Sequence, residues 1–263
     1  MRPTAAPRDL MQNWPYPFWI AHRGAGTLAP ENTLAAFRLG ASHGYRMFEC
    51  DVKLSSDGLP FLLHDDTLER TTHDASDTGG IAGQQPWHRL SQRDAGSWHS
   101  PAYAGEPLPT LEGIARFCIA NGYFLNIEIK PTIGTERHTG EVVAQHAARL
   151  WRGSAIPPLL TSFDIPALEG ARAAQPEMPR GLLIHAREDG TWAHWLDHAT
   201  RLQCHAIVCN HELWNAQSVA QAKAAGFRLL SYTVNDPQEA RRLIDLGTDG
   251  VITDRVDHFQ PGS

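Results

Sequence analysis

An α/β fold, the (β/α)8 barrel, is what this sequence predicts, and three observations carry the prediction. Eight short apolar runs of strand character are spaced along the chain, segments of helical period lie between them, and the length of 263 residues suits one such barrel, for which about 250 is typical. Strands that alternate with helices build βα units and a parallel sheet. The competing arrangement, a doubly wound open sheet, needs a glycine-rich dinucleotide fingerprint. The segment His22-Arg23-Gly24-Ala25-Gly26 lacks the third glycine at the required spacing.

Taken in order, the first strand is 18–22 (FWIAH), followed by a helix over 32–44. Pro30-Glu31-Asn32-Thr33 has the residues of a helix start, with Asn32 or Thr33 available as cap. The second strand is 47–54 (MFECDVKL), and the apolar run 59–63 after it reads as a hairpin or an extension. From 64 to 109 no βα unit is legible, only a stretch rich in Gly, Asp, Thr, His and Trp. So long an irregular segment is usually functional, and it reads as an insertion, about 65–109, over one mouth of the barrel. A helix over 110–122 restores the rhythm. It leads to strand 123–130 (YFLNIEIK), helix 139–151, and strands 158–163 (PLLTSF), 181–185 (GLLIH) and 206–210 (AIVCN). Trp192 and Trp195 fall at helical spacing between the last two. Helix 215–226, strand 228–234 (RLLSYTV), helix 236–247 and strand 250–253 (GVIT) complete the series. Several of these helices begin at Asn, Thr or Asp and close at Gly, which matches cap chemistry. One domain over 18–258 is expected, after an N-terminal extension over 1–17.

Composition narrows the function. With 29 Asp+Glu against 23 Lys+Arg the formal charge is −6, and 42% of residues are hydrophobic, the profile of an ordinary globular chain. There is no basic run to engage phosphates along a nucleic acid, so nucleic acid is not an expected partner. No apolar stretch approaches the roughly 18–20 residues that span a bilayer, and no membrane span is expected. The N-terminus has no apolar core of signal-peptide length, which points away from export. Cys50, Cys118, Cys204 and Cys209 are few and irregularly spaced, unlike a disulfide scaffold, and they suit the cytoplasm.

Charges inside barrel strands are costly unless paired or bound to a cation. In 47–54, Glu49 and Asp51 are two apart and share a face, with Cys50 and Val52 on the other. In 123–130, Asn126, Glu128 and Lys130 likewise share a face. If the apolar faces pack outward on helices, three carboxylates converge on the interior mouth, and a hard divalent cation such as Mg²⁺ or Ca²⁺ would balance them, Lys53 or Lys130 doing so only in part. The alternative is a Glu/Lys ion-pair network that plugs the barrel. His22 ends the first strand and His64 follows the run 59–63, places suited to proton transfer, although the chain holds 14 histidines. Arg23 can fork onto a phosphate or carboxylate, or simply pair with Glu31.

Read together, these residues carry a resemblance. AHRGAGTLAPENTLAAF (21–37), FECDVKLSSDG (48–58), LLHDDTLERTT (62–72), LPTLEGI (108–114), LNIEIKP (125–131), LTSF (160–163), YTVN (232–235) and DGVITDR (249–255) resemble, in order, the motifs of the glycerophosphodiester phosphodiesterase family. The resemblance covers nearly the whole chain and implies a (β/α)8 barrel with a small inserted subdomain after the second strand. It implies metal-dependent hydrolysis of a small-molecule glycerophosphodiester to sn-glycerol 3-phosphate and an alcohol. His22 and His64 resemble the family's acid–base pair, with His22 as base and His64 as acid; Glu49, Asp51 and Glu128 resemble the divalent-metal ligands; Arg23 and Lys130 resemble the phosphate-holding groups. The nucleophile implied is the neighbouring glycerol hydroxyl, which gives a cyclic phosphate, with direct attack by water as the other route. Tyr232 stands where the family more often has Trp before Thr-Val-Asn, a departure that bears on head-group preference. Two rival functions are a related barrel phosphodiesterase acting on lysophospholipids or sphingolipids, and a non-catalytic binding barrel.

Weaker signals remain. Cys204, His205, Cys209 and His211 resemble a zinc site in composition, but residues five apart on a strand point to opposite faces. Trp87, Trp98 and Tyr103 in the insertion read equally as a substrate cap or as subdomain packing.

Overall fold

The structure is a computed structural model that describes residues 14–73, 79–185 and 191–261. Most of the expected N-terminal extension, 1–13, and five insertion residues, 74–78, lie outside the described residues. In chain order the strands are β1 (Trp19–Ala21), β2 (Met47–Leu54), β3 (Pro60–Leu62), β4 (Phe124–Ile129), β5 (Leu159–Ser162), β6 (Arg180–Ile184), β7 (Ala206–Asn210), β8 (Arg228–Tyr232) and β9 (Gly250–Thr253). The helices are α1 (Leu34–Ser42), α2 (Trp87–Leu90), α3 (Leu111–Asn121), α4 (Glu136–Leu150), α5 (Ile165–Ala174), α6 (Trp192–Arg201), α7 (Ala216–Ala224) and α8 (Pro237–Leu246).

The sheet order is β1-β9-β8-β7-β6-β5-β4-β2-β3, and β1 also pairs with β2, so eight parallel strands close into a barrel. β3 is the ninth strand, antiparallel on the far end of β2, with Val52 opposite Leu62. The expected hairpin is therefore real. Helices follow every parallel strand but the last: β9 runs into a turn, and among the described residues no helix follows it. Phe259 instead stacks on Trp19 with ring centroids 4.5 Å apart and covers that side of β1.

Side-chain alternation sorts the strands into two environments. Cys50, Val52, Ile127 and Ile129 join Phe37, Ala115, Val143 and Ala147 in the layer between sheet and helices. The opposite faces carry Ile20, Met47, Leu159, Val208, Leu230 and Ile252, an apolar cluster closed at one end by Tyr16. The Tyr16 hydroxyl donates to the Pro157 carbonyl at 2.9 Å. Along β2 the inner face thus runs Met47, Glu49, Asp51, Lys53, and along β4 Phe124, Asn126, Glu128, Lys130: apolar at the N-terminal end and charged at the C-terminal end. An apolar layer, rather than an ion-pair network, plugs the barrel.

Helix ends follow the cap chemistry of the sequence. Thr33, not Asn32, caps α1 by accepting from the Ala36 amide; Asn215 and Ser218 form a capping box on α7, and Asp236 caps α8. α4 and α5 approach closely enough that a Cβ on Gly140 would sit 1.9 Å from the Ala167 carbonyl oxygen. The insertion builds a small core against the β3 hairpin, with Leu68, Ala82, Leu90, Ala95 and Leu108 packed around Phe61 and Leu63. It leans on the barrel through Glu106, whose carboxylate accepts from the Ala35 amide at the start of α1.

Candidate active site

The turn after β1 begins the site. Arg23, Gly24 and Gly26 have φ of 50°, 100° and 57°, a left-handed path that suits glycine best. Gly26 has a second reason to be glycine, since a Cβ there would lie 2.0 Å from the Asp254 carbonyl oxygen. That close approach brings Asp254, just past β9, against His22: Nδ1 of His22 lies 2.5 Å from Oδ1 of Asp254. Asn235 fixes Asp254 from behind, donating from Nδ2 to its carboxylate and accepting its amide. Nε2 of His22 is left facing Glu49 at 3.7 Å.

His64 is held in the same manner. Just past β3, its Nδ1 lies 2.7 Å from the carboxylate of Asp65, and its Nε2 lies 3.2 Å from Nζ of Lys130. Each histidine therefore has Nδ1 committed to a carboxylate. This fixes ring orientation and leaves Nε2 for chemistry.

Between the histidines lie the carboxylates. Asp51 and Glu128 are direct register partners on β2 and β4, and Glu49 lies opposite Asn126. Carboxylate oxygens of Glu49, Asp51 and Glu128 all fall within 4.8 Å of one another. Glu49 and Asp51 are only 2% and 1% exposed. The Arg23 amide donates to Glu49 at 3.1 Å, and Asn32 grips Asp51 twice, donating to its carboxylate and accepting its amide. Even so, one oxygen of Glu49 and one of Asp51 are buried without a hydrogen-bond partner. An all-oxygen donor set with two orphaned buried oxygens fits a hard divalent cation. No other cluster of three metal-ligating side chains occurs among the described residues.

Charge balance explains the titration of these groups. Burial, then the charge of Asp51, raises the pKa of both Glu49 and Glu128. Burial opposes ionisation of Asp51 too, but Arg23, with Nε 3.2 Å away, overrides it and holds Asp51 ionised. Lys130 pairs with Glu128 at 3.3 Å. Burial works against a charged His22, yet the Asp254 hydrogen bond and the Glu49 charge outweigh it and raise the pKa. For His64 burial lowers it, with Arg23 and Lys130 adding to the effect against Asp51.

His22, Arg23, Glu49, His64, Glu128, Lys130 and Tyr232 line one cavity of about 590 Å³ at the C-terminal mouth of the barrel, with Asp51 beneath its floor. One wall is apolar, made by Phe163, Leu183 and Ile252. Tyr232 stands edge-on to Phe163 and donates its hydroxyl to the Ile184 carbonyl. Lys53, expected as a partial counter-charge, is drawn away: its Nζ bonds Asp66 of the insertion at 2.7 Å. Arg23 meets both of its expected partners, Glu31 at 2.8 Å and a buried carboxylate.

Asn32, Asp65, Arg70, Asn235 and Asp254 escaped the reasoning from strand periodicity because all lie in turns. Their signal was membership of the quoted motifs, not spacing. The weaker candidates resolve as packing. Cys204 and Cys209 are buried free thiols, His205 lies against Arg180, and His211 pairs with Glu239. Trp87 packs on Phe61, Trp98 donates to the Ala95 carbonyl, and Trp192 stands edge-on to Trp214. Neither Trp87, Trp98 nor Tyr103 reaches the cavity.

Comparison with known proteins gives a consistent result. YhdW of Bacillus subtilis is 30% identical over 240 residues, 90% of this chain and 94% of its own. A glycerophosphodiester phosphodiesterase of Caldanaerobacter subterraneus is 28% identical over 241 residues, 89% of this chain and 93% of its own. A phosphodiesterase from Oleispira antarctica, solved in complex with the product sn-glycerol-3-phosphate, superposes with a TM-score of 0.83 at 36% identity, covering 93% of this chain and 95% of that one. With residues 22–258 matching the family directly, the chain belongs to the glycerophosphoryl diester phosphodiesterase family.

Proposed function

We propose that this protein hydrolyses glycerophosphodiesters to sn-glycerol 3-phosphate and an alcohol, with one divalent cation, Mg²⁺ or Ca²⁺, and two histidines. The observation that carries this reading is the pair of carboxylate-held histidines on either side of three converging carboxylates in one cavity. The product bound in the Oleispira antarctica relative supports the substrate class. We also read residues 18–258 as one catalytic domain, which the closed sheet and the match over 22–258 support. The cytoplasm suits four cysteines that are all buried and unpaired.

Glu49, Asp51 and Glu128 would hold the cation, which supplies positive charge to the non-bridging oxygens of the phosphate. Arg23 and Lys130 add to that charge and orient the diester. His22 takes a proton at Nε2 from the glycerol hydroxyl next to the phosphate, or from water, and His64 gives one to the leaving alcohol; by the first route water then opens the cyclic phosphate, His64 taking the water's proton and His22 returning one to the glycerol oxygen. The cation-free charges lean the other way, raising the pKa of His22 and lowering that of His64. Against burial, the Asp254 hydrogen bond leads the rise at His22, while burial leads the fall at His64, and a smaller share of each bias comes from neighbours that binding changes. Engaging Glu49 removes its pull on His22, and a phosphate anion beside Lys130 favours the protonated form of His64. Tyr232 and Phe163 line the same cavity, and we assign the Tyr232 ring to head-group fit.

The test is release of sn-glycerol 3-phosphate from glycerophosphocholine and glycerophosphoethanolamine, with EDTA and after Mg²⁺ or Ca²⁺ is restored. Release that EDTA abolishes and the ion restores is expected, and Glu49→Gln should need a higher ion concentration. Absence of release from both substrates with either ion would overturn the reading.

A further inference from the structure

The turn after β3 carries an arginine that touches neither the cavity nor the carboxylate cluster, yet is bonded to both of their supports. Arg70 donates from Nε and Nη2 to the two carboxylate oxygens of Asp65, at 2.5 and 2.9 Å. The same guanidinium donates from Nη1 and Nη2 to the two oxygens of Glu31, at 2.9 and 2.8 Å. Asp65 in turn holds Nδ1 of His64, and Glu31 holds Nη1 of Arg23 at 2.8 Å. One unbroken chain, Arg23–Glu31–Arg70–Asp65–His64, crosses the mouth of the site. It joins the turn after β1 to the residues just past β3 where the insertion begins.

We propose that Arg70 is a positioning residue for the reaction: it clamps Asp65 and Glu31 together and so fixes the His64 ring and the Arg23 guanidinium in one frame. This inference rests on the function proposed above. An arginine whose side chain is 46% exposed would ordinarily be a surface ion pair of little consequence. Two features separate Arg70 from that class. All its bonds are fork-on-carboxylate, the geometry that adds direction as well as charge, and both carboxylates are spent on a second group that is itself in the cavity. Glu31 and Asp65 are both held ionised: burial opposes this at Glu31 but its bonds to Arg70 and Arg23 override it, and at Asp65 the Arg70 bond is the leading cause. Without Arg70, Glu31 and Asp65 would be like charges brought together with one bridge removed. Asp65 would be free to turn away, and with it the Nε2 of His64. Lysine cannot replace it, because an ammonium group cannot present parallel donors to two carboxylates.

The test separates positioning from mere stability by varying the leaving group. A choline or ethanolamine alcohol needs a proton as it departs, whereas p-nitrophenol does not. Arg70→Gln should lower kcat on glycerophosphocholine by about 10- to 100-fold, the cost of misplacing a catalytic group by about 1 Å. On the p-nitrophenyl ester of glycerol 3-phosphate kcat should fall by less than about 3-fold, with Arg70→Lys behaving alike, while the slack passed to Arg23 through Glu31 raises KM on both substrates. His64→Ala should show the same split, and Arg70→Gln on top of it should add little to the loss of kcat, since that loss passes through one ring. Glu31→Gln, which weakens the Arg23 arm and one of the two Arg70 forks but leaves the fork on Asp65 in place, should raise KM on both substrates with a smaller split than Arg70→Gln. An equal loss of kcat on both substrates for Arg70→Gln, or full additivity in kcat with His64→Ala, would overturn the inference. Wild-type protein inactive on both substrates would instead remove the function on which it rests.

Discussion

At the scale of single residues, the site separates groups that do chemistry from groups that aim them. His22 and His64 each bond a carboxylate through Nδ1, at 2.5 and 2.7 Å. Substituting either with Ala should cost turnover by about 10²–10⁴-fold, the usual worth of positioned acid–base catalysis. Asp254→Asn keeps the shape and removes the charge, and a smaller loss of about 10- to 100-fold is expected. Steady-state rates on glycerophosphocholine, with circular dichroism as the check that each variant folds, decide both; near-wild-type turnover in His22→Ala and His64→Ala would remove them from the mechanism. The carboxylates of β2 and β4 were legible from their alternation, because a strand's period of two leaves no freedom about which residues share a face. The aiming groups were not. Asp65, Arg70 and Asp254 lie in turns, where no period constrains direction. Lys53 shows the converse: alternation put it on the inner face, but the insertion's Asp66 claimed its ammonium.

At the scale of elements, the eight parallel strands were legible because barrel strands are apolar on the helix side and begin apolar inside as well. Their ends were blurred by a residue or two where the apolar pattern runs on past the regular strand; Val234 is buried beyond the end of β8 at Tyr232, and its amide still donates to the Ile252 carbonyl of β9 at 2.9 Å. α4 begins at Glu136, three residues before the expected start at Thr139, since the first turn, Glu136-Arg137-His138, is polar and gives no apolar signal. The turn after β1 is the element that most constrains the site, because it must pass Asp254 at the distance only a glycine permits. In Gly26→Ala the added methyl would meet the Asp254 backbone at 2.0–2.3 Å at a residue with φ of 57°. The expected cost is on the order of 1–3 kcal/mol of stability, read as a lower Tm. Activity should fall by more than the lost stability explains, because Asp254 must shift away from His22. A variant with lower Tm and unchanged kcat would show that the turn serves folding alone.

For the whole molecule, the barrel's dependence on pH follows from which buried groups it refuses to charge. His205, at the N-terminal side of β7, is 6% exposed. Burial, and then the neighbouring Arg180, lower its pKa from 6.5 to about 4. Arg180 cannot retreat, since its guanidinium is tied to the carbonyls of Gln175, Pro176, Met178 and Gln203. Between those two pH values the unfolded chain holds a proton at His205 that the folded chain does not. The contribution is therefore intact above pH 6.5, is lost progressively as pH falls, and levels off near pH 4, a total on the order of 3 kcal/mol. Glu239 behaves in the opposite sense of charge but the same sense of stability: Arg242 first, and then His211 against its burial, hold its pKa down to about 2, so its share is lost only below the ordinary glutamate range. The two windows do not overlap above about pH 4.5. His205→Gln keeps an acceptor for the Arg180 amide, which His205 Nδ1 now takes at 3.4 Å, and cannot titrate. Urea unfolding of wild type and His205→Gln from pH 7 to pH 4.5 should show wild type losing stability relative to the variant as pH falls, with the other titrating groups cancelling in the difference. Parallel curves would mean that His205 takes up its proton as readily folded as unfolded, and that the barrel opens to water at that end.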